Sequence, residues 1–213
     1  MSGIVGSNFN DRVSGLVGSL GTDGQHFLSS GVGKQMFFET VAIPEAYDDE
    51  PLKSDLTALA IREATNESSA AFNLPGSFIE TFTDDTNLGT QTTGDRASGY
   101  WTATSSTATL IQSANAVTGT RTEVGGTMLY ADEDGTATLG TDLKIYFTAN
   151  GGTNWTETDT YTAITPVYAS GIKQVRLGKV TVTGGTDVRY KAVWANQAGG
   201  SKETRLHAIG INY

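Results

Sequence analysis

A chain of 213 residues without cysteine cannot rely on disulfides or thiolate metal sites, so packing or assembly must stabilise it. With 23 acidic residues against 14 basic ones, a formal charge of −9 and no Lys/Arg-rich patch, binding driven by nucleic-acid phosphates is excluded. Only 17% of residues are charged while 26 are glycine, and the abundance of Thr, Val and Tyr favours half-buried strands and tight turns over helices.

The opening MSGIVGSNFNDRVSGLVGS has neither a basic start nor an apolar core of signal-peptide length. No other stretch reaches the roughly 20 apolar residues of a membrane span. The expectation is therefore a soluble chain with no membrane insertion and no recognisable secretion signal. From Met1 to about Lys34, single apolar residues (Ile4, Val5, Phe9, Val13, Leu16, Val17) recur among glycines and serines, too sparsely for an independent core. Two readings stay open for this segment. It is either a loose terminus or a docking arm whose apolar anchors lie on another protein. MFFETVAIPEAY then reads as one strand carrying Phe37, Phe38, Val41 and Ile43, closed by Pro44. The acidic turn Asp48-Asp49-Glu50-Pro51 ends an extended N-terminal region, residues 1–50.

Residues 51–76 hold one short helix and a linker. Ser54 suits an N-cap, Asp55 favours the first turn, and Leu56, Leu59, Ala60 and Ala64 recur at helical spacing up to about Phe72, before Pro75-Gly76. A lone helix with a narrow apolar stripe should pack on a neighbouring sheet or on copies of itself.

From Ser77 the period changes to two. SFIETF, GYWTAT, ATLIQS, GTMLYA, LKIYFTA, VRLGKVTV, VRYKAVWA and LHAIGINY are short alternating runs separated by Gly, Asp and Asn. The fold class expected is mainly β: an antiparallel, jelly-roll-like β-sandwich over residues 77–213, preceded by the arm and the helix. The last strand of such a sandwich often lies beside the first, which would place ETRLHAIGINY next to SFIETF.

Chemistry-bearing patterns are sparse. His26 and His207 are the only histidines, with no nucleophile-elbow pattern to accompany them, and the carboxylate sets Asp84-Asp85, Asp132-Glu133-Asp134 and Glu157-Asp159 all fall in turns, where acids bond local amides. No catalytic residue and no cofactor are expected. ADEDGTATL begins like a calcium loop with Asp132, Asp134 and Gly135, but it lacks the third Asp/Asn and the distal Glu, so a solvated hairpin turn is favoured over a calcium site. TANGGTNWT resembles the Asp-box hairpin in Thr148, Asn150, Gly152, Asn154 and Trp155, a folding device rather than a catalytic one. Trp101, Trp155 and Trp194, with Tyr100, Tyr146, Tyr161, Tyr168, Tyr190 and Tyr213, are candidates for an aromatic platform on which sugar rings stack, or else for the core.

Three strings together carry a family resemblance: the opening MSGIVG with its Gly-spaced arm, the segment ALAIREATNESSAAFNLPGSFIETFTDDTNLGT, and LKIYFTANGGTNWT with the closing KETRLHAIGINY. They resemble structural proteins of tailed bacteriophages, particularly marine ones, in which a helical segment leads into a sandwich of the LamG or carbohydrate-binding type. The resemblance implies a virion location, attachment to other virion proteins through the N-terminal arm (Ile4, Val5, Phe9, Val13, Leu16, Val17), and homo-oligomers, often trimers. It spans tail fibres, head fibres, collar appendages and capsid decoration proteins. A host-surface glycan is the external ligand such a sandwich would meet.

Overall fold

The computed structural model describes residues 25–29, 36–40, 50–97, 99–169, 171–199 and 201–213. Its elements in chain order are β1 (Gln25–Ser29), β2 (Met36–Thr40), α1 (Glu50–Phe72), β3 (Ser77–Glu80), β4 (Leu88–Thr92), β5 (Gly94–Ala97), β6 (Tyr100–Ala103) and β7 (Ala108–Gln112). There follow β8 (Ala116–Asp134), β9 (Leu143–Thr148), β10 (Thr156–Glu157), β11 (Tyr161–Ala169), β12 (Ile172–Asp187), β13 (Arg189–Trp194) and β14 (Glu203–Asn212). Two compact units result, Met1–Asp49 and Glu50–Tyr213. In the first, β1 and β2 pair antiparallel with Phe27 opposite Phe38, so part of the region expected to be an extended arm is a hairpin. The anchors Ile4, Val5, Phe9, Val13, Leu16 and Val17 lie outside the described residues.

The second unit is the expected antiparallel sandwich. One sheet has five strands in the order β10-β9-β13-β7-β4. The other has seven, in the order β11-β12-β8-β14-β6-β5 with β3 also on β14. Alternation assigns the faces. In β7 (ATLIQ), β9 (LKIYFT) and β13 (RYKAVW), every second side chain is buried, and Leu110, Ile145, Phe147, Tyr190 and Trp194 meet inward-facing Met128, Leu177 and Ile209 of the opposite sheet. The final strand lies beside the first of the sandwich, as expected: Gly210 is opposite Ile79 and Ile211 opposite Phe78. Reciprocal 2.9 Å backbone hydrogen bonds between Gly76 and Tyr213 close that edge.

The helix departs from expectation in extent and in its buried face. It starts at Glu50 and runs for 23 residues, leaving Ser54 inside it rather than at its cap. Pro51 accounts for this, because proline is pre-set for the first helical turn, where its missing N–H has no partner to lose. The C-terminal end is a Schellman turn: Leu74 N–H donates to Ser69 O, Asn73 N–H to Ala70 O, and Asn73 takes φ 54°. Apolar spacing pointed to Leu56, Leu59, Ala60 and Ala64 as the packing stripe. Of these Ala64 is buried and Ala60 packs on the sheet, but Leu56 and Leu59 are exposed, and Ile61, Thr65 and Ser68 complete the buried face against Leu129 and Ala208 on the outer face of the seven-stranded sheet.

Glycine decides that choice. Gly125 on β8 and Gly210 on β14 leave a trough into which the helix settles. A Cβ at Gly125 would stand 2.9 Å from the Phe72 ring, and one at Gly210 would overlap the Thr65 hydroxyl. Polar contacts line the same seam. Thr65 Oγ1 donates to Ile61 O at 2.6 Å, so the 3.2 Å contact with Thr127 Oγ1 has Thr127 as donor, and Asn212 Nδ2 donates to Thr65 O at 3.2 Å. Among the described residues, no helix is long and apolar enough to cross a membrane.

Asp142 ties three chain segments at one end of the sandwich. Its carboxylate, 3% exposed, accepts from Lys202 Nζ, Asn196 Nδ2 and Thr138 N–H, each at 2.8 Å. The Lys202 ammonium first, then the Thr138 amide and Asn196, hold its pKa down at about 2.

Two outcomes are expected. Gly210→Ala should lower stability by about 1–3 kcal/mol through overpacking, read from the urea midpoint, and an unchanged midpoint would remove the trough from the account. Asp142→Asn should cost about 1–3 kcal/mol at neutral pH. Because its folded pKa is depressed, the carboxylate's contribution is complete above its ordinary value of 3.8 and is lost as pH falls through about 2. Denaturation curves of wild type and variant should therefore converge toward pH 2.

Candidate ligand-binding surface

The three tryptophans separate. Trp101 on β6 and Trp194 on β13 are fully buried, with ring centroids 4.5 Å apart and planes at 41°. Their indole N–H groups donate inside the protein, Trp101 to Gln91 Oε1 at 2.8 Å and Trp194 to Thr204 O at 2.9 Å. Neither ring face is offered to a ligand, and the platform expected from all three is corrected on this point. Alternation is the reason: both rings occupy inward positions, where a large aromatic contributes most to sandwich packing.

Trp155 is half-buried and is positioned by the hairpin its motif suggested. Thr148 Oγ1 donates to Asn150 Oδ1 at 2.8 Å and accepts the Gly152 N–H at 3.3 Å, while Asn154 N–H donates to Asn150 Oδ1 at 3.0 Å. Gly151 and Gly152 take φ 69° and 91°, a region open to glycine. The Trp155 ring lies against Gly152, where a Cβ would stand 3.1 Å from it.

The ring reaches the outer face of the five-stranded sheet. There Tyr146 of β9 is directly opposite Lys191 of β13, and Glu157 of β10 is opposite Tyr146 on the other side. Lys191 Nζ lies 4.4 Å from the Tyr146 ring centroid and 4.9 Å from that of Trp155. Glu157 faces the Tyr146 hydroxyl and sits 3.8 Å from Lys144 Nζ. Tyr146 and Trp155 were among the aromatic candidates of the sequence, but Lys191 was not, because a Tyr and a Lys 45 positions apart share no motif. Only the β9–β13 register brings them together.

The seven-stranded sheet carries a second aromatic and cationic group on its outer face. Arg205 lies 4.5 Å from the Tyr100 ring centroid, and the His207 ring lies 5.5 Å from Tyr100 with the two planes tilted at 49°. Burial, then the neighbouring Arg205 charge, push the His207 pKa down. Here the cation is already neutralised: Arg205 pairs with Glu203 at 2.7 Å and with Glu133 at 2.8 Å.

Of the acidic sets expected in turns, Asp84-Asp85 lies in one, whereas Asp132, Glu133 and Asp134 end strand β8 and Glu157 lies on β10, because strand pairing extends further than the local turn signals suggest. Asp84 caps Thr86 N–H at 2.8 Å, and Asp85 pairs with Arg96 at 2.5 Å. Asp132, the first residue of the calcium-like string with Asp134, accepts the Ala137 N–H and holds Lys173 Nζ at 2.5 Å, so an ammonium stands at that carboxylate. Among the described residues, no three His, Asp or Glu side chains converge as metal ligands. A shallow depression lined by Ser105, Ser106, Gln197, Lys202 and Glu203 is built from groups already engaged, Lys202 with Asp142 and Gln197 with Thr204 N–H. The outer face of the five-stranded sheet is thus the surface best equipped to meet a ligand. No protein-family model matches the chain, and no curated protein matches it.

Proposed function

We propose that this chain is a non-enzymatic structural component of a tailed-bacteriophage virion, an oligomeric fibre or appendage protein. In this reading the N-terminal region, residues 1–50, docks on other virion proteins and the sandwich is displayed for host attachment. A capsid decoration protein is the alternative drawn from the same resemblance.

One observation carries the oligomeric part. Leu52, Leu56 and Leu59 are 61%, 39% and 64% exposed on α1, at i, i+4 and i+7. At about 100° per residue they share one face, and Ile61, buried on the sheet, lies about 180° around the helix from Leu52. The helix therefore has two working faces, and its own sheet covers one. Packing the leucine face on the same helix of neighbouring copies would bury side chains worth about 1.5–3 kcal/mol each. The glycan-binding reading of the sandwich is favoured by a different observation, the half-exposed Trp155 beside Lys191 and Tyr146.

Sedimentation velocity on the full chain is expected to show a trimer, and Leu52→Glu with Leu59→Glu should dissociate it while the far-UV spectrum is kept. A monomeric wild type would overturn the assembly role. Replacing Phe9 and Val13 with Asp in the full chain should abolish incorporation into particles without changing the thermal midpoint. Normal incorporation would remove the docking role of the arm.

A further inference from the structure

We infer that Tyr146, Trp155 and Lys191 form a subsite for an acidic saccharide, a sugar ring bearing a carboxylate or sulfate. The site deepens the display reading by naming a ligand class, and it rests on that reading only for its biological use, because binding is a property of the chain itself.

The first support is an ammonium without a counter-ion. Most basic side chains on the strands of the two sheets have a carboxylate within 4 Å: Arg96, Lys144, Lys173, Arg176, Lys179, Arg189 and Arg205 each do. Among the described residues Lys191 has none; its Nζ is held over two rings instead. Ring faces attract and partly dehydrate a cation but leave its charge uncompensated. Burial alone lowers the Lys191 pKa, with no acidic neighbour acting the other way. Arg205 is the internal contrast, since it lies over a ring in the same manner and is answered by two carboxylates.

The second support is rigidity. Tyr146 is set by its strand and by Glu157 facing its hydroxyl, and Trp155 is set by the Thr148–Asn154 hydrogen-bonded turn. Both rings are therefore in place before a ligand arrives, which lowers the ordering cost of binding.

The third is the match of chemistries. An acidic sugar presents an apolar C–H face and an anion on one ring, which answers two half-exposed aromatics flanking a free ammonium. The local balance on this face is favourable as well. Lys144 pairs with Glu157 and Arg189 with Asp187, which leaves the Lys191 charge unpaired on a chain whose formal charge is −9. One local anion can be accommodated there, whereas a polyanion would meet the repulsion of the whole molecule.

The test is titration of the purified full chain with uronate, sialylated and sulfated oligosaccharides, their neutral parent sugars, and a mononucleotide, followed by calorimetry and tryptophan fluorescence. Expected is saturable binding of at least one acidic saccharide, with dissociation constants of about 1 mM or tighter, about tenfold weaker for the neutral parent, and weakened by added salt. Lys191→Met should reduce affinity about tenfold with an unchanged urea midpoint, Lys191→Arg should retain most of it, and Trp155→Phe should remove the fluorescence response. No binding by any acidic saccharide up to about 10 mM, equal affinity for the neutral parent, an unaffected Lys191→Met, or preference for the mononucleotide would each overturn the assignment. Such a failure is distinguishable from failure of the appendage reading, which is measured by sedimentation and by particle incorporation.

Discussion

The close approach of α1 to the outer face of β8 and β14 is the constraint on which the second unit depends. A sheet face covered by a helix must be apolar or have its polar groups paired, and here apolar contacts and hydrogen bonds share the seam, with Asn212 Oδ1 left unpaired. Leu129 and Ala208 meet Ile61, while Thr127, Thr65 and Asn212 exchange hydrogen bonds in the seam. None of this is reachable unless the helix backbone comes near the sheet, and Gly125 and Gly210 are what let it do so. Glycine weakens a strand by itself, so its presence in the middle of VGGTMLY and HAIGINY becomes intelligible only as the accommodation of a neighbour.

Placing small and hydroxyl-bearing residues against the sheet has a consequence for the rest of the helix. The large aliphatic side chains Leu52, Leu56 and Leu59 do not fit the trough and fall on the opposite side. A helix clamped on one face and apolar on the other is held at fixed orientation by its own domain, which is the arrangement an assembly contact needs. The two faces thus divide the work, one specifying the monomer and the other left available to copies.

A similar division applies to the sandwich. Inward alternation consumes Trp101, Trp194, Tyr190 and Phe147 in the core, and the outward positions carry the charges. Nearly all of those charges neutralise one another across strands, in pairs such as Lys179–Glu123 and Lys173–Asp132, and surface pairs of this kind contribute little to stability. Their significance here is as background. Arg121, over the single Tyr213 ring at 5.8 Å, also has no ion pair among the described residues, but Lys191 is distinct in lying closer, and over two rings, Tyr146 and Trp155.

Local pattern was sufficient for several elements. Period-two alternation in LKIYFT and VRYKAVW, together with Gly and Asn at turns, marked the strands. The Thr148–Trp155 string identified its own hairpin, because its hydrogen bonds all close within a few residues. Other features were decided at a distance. Alternation says that neighbouring residues face opposite ways but not which face is covered, so Trp101 and Trp194 could be assigned to the core only once the second sheet was in place. The packing face of α1 was misread in part for the same reason: apolar spacing placed Ala60 and Ala64 correctly but added Leu56 and Leu59, whereas steric fit to glycines more than 50 residues away selected Ile61, Thr65 and Ser68. The candidate site divides between the two: the local hairpin motif places Trp155, whereas the meeting of Tyr146 with Lys191 was decided at a distance. Chain order separates Tyr146 from Lys191, and the β9–β13 register unites them. Secondary structure in this protein is thus a property of short-range chemistry, while its surface is a property of long-range pairing, because burial is settled by what each face meets.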